Sequence, residues 1–217
     1  MRLYHGTSEA AAREAVERGL LPRGERKSNW NVSSREDLVY LTLAYAGYFA
    51  ANASGEYERW GIIEVEVDQD DLLPDEDFLE QASCKSDVCP VSGMEERTAW
   101  FRDNLHTFAH HWDISLAGIG NAAHIGPIAR DQIVRVVLFD PTKAPAVAVA
   151  AIDPMISILN FRIFGSKYKA ITLALAGYKI EPKEFAGDVF WEMYGEDERK
   201  RNREAVKELP KAIEKIL

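Results

Sequence analysis

The chain has 217 residues, 47% of them apolar and 28% charged, with a formal net charge of −9 and a pI near 5.1. That length supports one sizeable core rather than two full domains, and the composition is that of a globular chain, not a disordered or fibrous one. The acidic balance excludes a broad electrostatic hold on nucleic acid and leaves room only for a local basic groove.

The opening stretch Leu3-Tyr4-His5-Gly6-Thr7-Ser8 reads as a strand running into a turn, and the segment Glu9–Gly19 after it reads as a helix. Thr7 or Ser8 can cap that helix, and Gly19 can end it. His5 therefore stands at the carboxyl end of a strand, where a side chain and the adjacent glycine N–H can both address a ligand. A polar, basic loop from Arg23 to Asn29 leads to Trp30. Leu38–Thr42 is then a second strand, followed at once by the helical-looking Leu43–Asn52. Tyr40 falls near the end of this strand, as His5 does in the first.

Ile62–Val67 alternates branched residues with carboxylates and predicts a third strand. An acidic loop, Asp68–Leu79, follows it, and Gln81–Gly93, with both cysteines, reads as loop or lid. Glu95–Trp112 predicts one helix with Trp100, Phe101, Leu105 and Phe108 on an apolar face. Beyond the glycine-containing Leu116–Asn121 lie Ala122–Ile128 and a strong strand, Ile133–Asp140. Ala146–Ile152 followed by Asp153–Leu159 reads as strand, then turn, then helix, although periodicity alone does not separate strand from helix there. An amphipathic helix bent near Pro210 is expected over Glu196–Leu217.

Met1 is followed by the first motif rather than a basic-plus-apolar leader, and Asp153 interrupts the apolar Ala144–Leu159. With only Cys84 and Cys89 present, the expectation is a cytoplasmic protein in a reducing environment, without a membrane partner. His106, His110 and His111, downstream of the cysteines, raise the thought of zinc. The cysteine spacing is not that of a zinc knuckle, and no metal is expected.

Leu3-Tyr4-His5-Gly6-Thr7, then Val39-Tyr40-Leu41-Thr42 with Ala46 and Tyr48-Phe49-Ala50 behind it, resembles the first two motifs of the ADP-ribosyltransferase superfamily. The likeness is to the histidine–tyrosine branch, which includes diphtheria toxin, the poly(ADP-ribose) polymerases and the rifampin ADP-ribosyltransferases. It covers roughly the first 140 residues. The resemblance implies an α+β fold on a split, mostly antiparallel sheet with flanking helices over residues 1–180, and a charged helical extension over 181–217. It implies NAD as co-substrate, held by His5, Gly6 and Thr7, with Tyr40 stacked on the nicotinamide and Tyr48 on the ring's other side; Tyr45 is the second choice and the one best suited to plain core. Nicotinamide then leaves, and an unidentified acceptor (protein, nucleic acid or small molecule) attacks the ribose.

The third motif departs from the family pattern. Relatives with transferase activity carry a carboxylate at the start of a late strand. With Ile133–Phe139 as that strand, His124 stands in its place; a histidine can act as general base but supplies no permanent negative charge. Gln132 is a second occupant, and the run Asp75-Glu76-Asp77, centred on Glu76, is the third, because the rifampin-modifying relatives take their carboxylate from a loop after the third strand. Three readings stay open: mono-ADP-ribosyl transfer, phosphate or ribose transfer on RNA ends, and a module of the same fold that binds NAD, another nucleotide or a partner without turnover.

Overall fold

A computed structural model describes residues 1–24, 34–83, 89–152 and 161–179. Six strands form one sheet: β1 (Arg2–Ser8), β2 (Leu38–Thr42), β3 (Trp60–Glu66), β4 (Leu72–Pro74), β5 (Asn121–Ile125) and β6 (Ile133–Phe139). Their order is β4-β5-β2-β1-β3-β6, and every neighbouring pair is antiparallel. The chain is thus α+β, with helices on both faces of an antiparallel sheet.

The pairing is uneven. Seven residue pairs join β1 to β3, from Arg2↔Glu66 to Ser8↔Trp60, and five join β2 to β5. Between β1 and β2 there is one pair, Tyr4↔Thr42. The sheet therefore divides into the halves β4-β5-β2 and β1-β3-β6, joined at that point. Extending the register by two residues on each strand sets Gly6 opposite Tyr40 across the gap.

Alternation along the strands sorts the side chains into three apolar clusters. Tyr4, Trp60, Ile62 and Phe139 face α2 (Ala46–Ala53), α6 (Pro145–Ile152) and α7 (Phe161–Leu175). Leu3, Val39, Leu41, Ile63 and Val65 turn the other way, onto Ala12 and Ala15 of α1 (Glu9–Arg18). Leu38, Leu73 and Ala123 pack with Leu79 of α3 (Glu76–Ser83), with Phe101 of α4 (Met94–Asp103) and with Leu105. With both faces covered, β3 is buried from Trp60 to Val65.

Ser8 caps α1, its hydroxyl accepting from the Ala11 N–H at 3.3 Å, and Gly19 ends the helix with a φ of 83°. The helix after β2 starts at Ala46 rather than Leu43, because Thr42 Oγ1 accepts from the N–H groups of Ala44 and Tyr45 and holds a turn there. The acidic loop holds more structure than expected, namely β4 and α3. The single helix expected over Glu95–Trp112 stops at Asn104, whose amide donates to the Trp100 carbonyl; a 3-10 segment, Leu105–His111, then leads to α5 (Trp112–Ile119). The expected aromatic face survives, since Trp100, Phe101, Leu105 and Phe108 pack in one cluster. Ala146–Ile152 belongs to a helix and not a strand: Pro145 takes the first helical position and alanines fill the turns. The loop anchor Trp30, Cys84, the expected turn and helix over 153–159, the expected helix over 196–217 and the extension 181–217 lie outside the described residues. No described helix is long and apolar enough to cross a membrane.

Candidate functional site

Exposure marks the gap between the two half-sheets. Inside β1, Leu3, Tyr4, Gly6 and Thr7 are buried and His5 is mostly buried. In β2 the four neighbours of Tyr40 are buried and Tyr40 is half-exposed. These are the two central strands of the sheet, and the one ladder between them is reduced to the single pair Tyr4↔Thr42.

His5 Nδ1 lies 2.8 Å from the Tyr40 carbonyl oxygen. A carbonyl only accepts, so Nδ1 carries the proton, and Nε2 of the neutral ring presents a lone pair. Burial pushes the His5 pKa below the usual histidine value, and the bond to the Tyr40 carbonyl opposes this only in part. The ring is therefore neutral at pH 7, with an acceptor facing away from Tyr40.

The Tyr40 hydroxyl donates to Glu76 (2.7 Å to Oε1, 3.0 Å to Oε2) and accepts from the Arg35 backbone N–H at 3.2 Å. Burial, and then the negative charges of Glu76 and Asp75, raise the phenol pKa, so the hydroxyl keeps its proton. Glu76 reaches this place because β4 pairs with β5, with Leu73 opposite Ala123, and Ala123 in turn lies opposite Tyr40. Helix α3 then begins two residues past the end of β4, after Asp75. Glu76 is buried, and burial raises its pKa against the pull of the Tyr40 hydroxyl. The neighbouring acids do other work. Asp75 caps α3 by accepting from the Asp77 N–H at 2.9 Å, and its own N–H donates to Ser115 Oγ at 3.0 Å; Asp77 is exposed.

Gly6 is fixed by packing. A Cβ there would lie 1.8 Å from the Ala46 carbonyl oxygen and 2.7 Å from the Ala50 nitrogen, so β1 and α2 touch backbone to backbone. Thr7 is buried on the α1 side of the strand.

Two expected site residues are not brought here. His124 pairs with Val39 and Leu72, so alternation puts it on the opposite face of β5 from Ala123, away from the Tyr40 ring. It is buried, with Nδ1 at 3.3 Å from the Gly126 carbonyl and Nε2 at 3.9 Å from Asp71. Tyr48 sits on α2 between Ala46 and Ala50, the residues that face β1. At about 100° per residue it is turned roughly half a circle from that face, and it packs with the α2/α6/α7 core and edge-on to Phe49. Tyr45 is core, as expected, against Tyr168. Gln132 accepts from the Ala129 N–H in the turn before β6, at the far edge of the sheet. Among the described residues no group of three or more His, Cys, Asp and Glu side chains is placed to hold a metal ion.

Sequence reasoning missed Arg35, which meets Tyr40 through its main chain. Its one visible signal is the Arg35-x-Asp37 spacing just ahead of the second strand.

No family model matches the chain, and no curated protein and no solved structure does so either.

Proposed function

We propose that this protein is an NAD-dependent ADP-ribosyltransferase of the histidine–tyrosine type, built on the family's split sheet over residues 1–180 and working in a reducing cytoplasm. The observation that carries the reading is a pair of hydrogen bonds at the interrupted β1/β2 ladder, one joining His5 Nδ1 to the Tyr40 carbonyl and one running from the Tyr40 hydroxyl to the buried Glu76 carboxylate.

Each group has a task that its surroundings suit. His5 Nε2, fixed as an acceptor, takes a hydrogen bond from a ribose hydroxyl of NAD. Gly6, opposite Tyr40 across the gap, offers backbone groups to the nicotinamide carboxamide. The Tyr40 ring stacks on the nicotinamide, whose positive charge meets the electron-rich face. When the C–N glycosidic bond breaks, its electron pair leaves with neutral nicotinamide and positive charge develops on the ribose. Glu76 stabilises that charge in a site that excludes much of the water. The acceptor then bonds to the ribose C1′ and gives up a proton, which the raised pKa of Glu76 equips it to take.

One observation favours a second reading. Both oxygens of Glu76 lie within hydrogen-bond distance of the Tyr40 hydroxyl, an arrangement that also suits a module that binds the dinucleotide and never cleaves it. The test is nicotinamide release from NAD by the purified chain and by folded His5→Ala and Tyr40→Ala. Release that requires both residues supports the enzyme. NAD binding with no release, even with water as acceptor, supports the module, and neither binding nor release ends both readings.

A further inference from the structure

The geometry points to Arg35 as a positioning residue that sets the Tyr40 ring, an inference that rests on Tyr40 being the partner of the nicotinamide. The Tyr40 hydroxyl has two anchors. One is a side chain, Glu76, and the other is the Arg35 main-chain N–H. A main-chain anchor is only as fixed as the segment that carries it, and 34–37 belongs to no helix or strand. The Arg35 side chain supplies what the segment lacks. Its guanidinium forks onto Asp37, Nε to Oδ1 at 2.8 Å and Nη2 to Oδ2 at 2.5 Å, and its Nη1 lies 3.4 Å from the Arg102 carbonyl near the end of α4. Asp37 is held in turn, its carbonyl accepting from the Gly126 N–H at 3.0 Å just past β5.

Arg35 is thus the node where the lead-in to β2, the end of α4 and, through Asp37, the end of β5 are tied together, with the Tyr40 hydroxyl bonded to the same residue's N–H. The planar fork is what makes the tie, so lysine, with the same charge and no fork, cannot replace it. The effect on NAD runs entirely through the Tyr40 hydroxyl, and that is what separates positioning from general support of the fold.

The experiment is a double-mutant cycle on the full chain with Arg35→Lys and Tyr40→Phe, following nicotinamide release. Arg35→Lys is expected to raise KM for NAD about tenfold while kcat changes less than about threefold. In the Tyr40→Phe background, which has no hydroxyl to hold, the same substitution should change KM no further. Asp37→Asn breaks the fork from the other side and should reproduce the effect. A KM increase of equal size with and without the hydroxyl, or no increase at all, overturns the inference. A readout independent of turnover is the NMR signal of ring-labelled Tyr40, assigned by its loss in Tyr40→Phe. Arg35→Lys should shift it and leave the Tyr45 signal in place; an unmoved Tyr40 signal also overturns the inference. If the wild-type chain releases no nicotinamide, the proposed transferase falls, and the ring signal alone still decides for or against Arg35.

Discussion

At the scale of single residues the site depends on two protonation states. His5 must be neutral to accept a hydrogen bond at Nε2, and its folded pKa lies below the ordinary value of 6.5. Because the folded pKa is depressed, the unfolded chain binds this proton more readily. Stability linked to His5 is therefore fully present above about pH 6.5 and is lost as pH falls through the folded value. NAD affinity should follow, flat from pH 8 to about 6.5 and weakening in more acid solution. Titration calorimetry across that range checks it: the acid weakening should persist in Glu76→Gln and vanish in His5→Ala. Glu76 has the opposite sign. Its folded pKa is raised, so its contribution to stability is fully present below the ordinary value of 4.5 and is lost as pH rises through the folded value. Glu76→Gln should therefore melt higher than wild type at pH 7, by about 2–4 °C for each kcal/mol regained, with the gap closing below pH 4.5. The same variant should slow nicotinamide release by about a hundredfold or more if the carboxylate stabilises the developing cation.

At the scale of elements, the contact that shapes the opening is β1 against α2. With Gly6 pressed on the Ala46 carbonyl, Gly6→Ala forces strand and helix apart and should destabilise the chain by about 2–4 kcal/mol. The urea midpoint would report it, and an unchanged midpoint would mean that the two backbones can separate freely. Elements were also where the sequence was easiest to read. Leu38–Thr42 and the strands around Ile62 and Ile133 declare themselves through branched residues, and α1 through its cap and terminal glycine. Ala146–Ile152 misled because alanine and valine alternate there with no polar residue to set a period, and Pro145 was the better guide. The split is another matter. It arises where β1 and β2 stop pairing, between residues more than thirty apart in sequence, and no local pattern carries that information. For the same reason His124 and Glu76 could not be separated from sequence alone. Which face His124 occupies depends on the residue it pairs with, and that partner is fixed only by the sheet.

At the scale of the whole molecule, the chain after α7 is tied back to the sheet by a buried acid that the site does not use. Glu64 on β3 is buried, accepts from the Tyr178 hydroxyl at 2.8 Å, and lies 3.6 Å from Arg2 and 3.9 Å from Arg135. Arg135 also stacks on the Tyr178 ring at 4.4 Å and bonds the Ala176 carbonyl at 2.9 Å. Strands β1, β3 and β6 and the end of α7 therefore meet on one carboxylate, and α7 closes the core over α2. Tyr178→Phe removes one donor from a buried charge and should lower stability by about 1–3 kcal/mol, read as a shift in the chemical-denaturation midpoint, while leaving NAD affinity unchanged. A loss of affinity without a loss of stability would place Glu64 in the site instead of the scaffold.

The whole account turns on the gap between β1 and β2 being the seat of a dinucleotide. A crystal structure of the full chain with NAD tests that most directly. The account predicts NAD lying in the gap, with a ribose hydroxyl within hydrogen-bond distance of His5 Nε2 and the nicotinamide ring parallel to that of Tyr40. NAD bound elsewhere on the molecule, or the gap closed with NAD in excess, would contradict it.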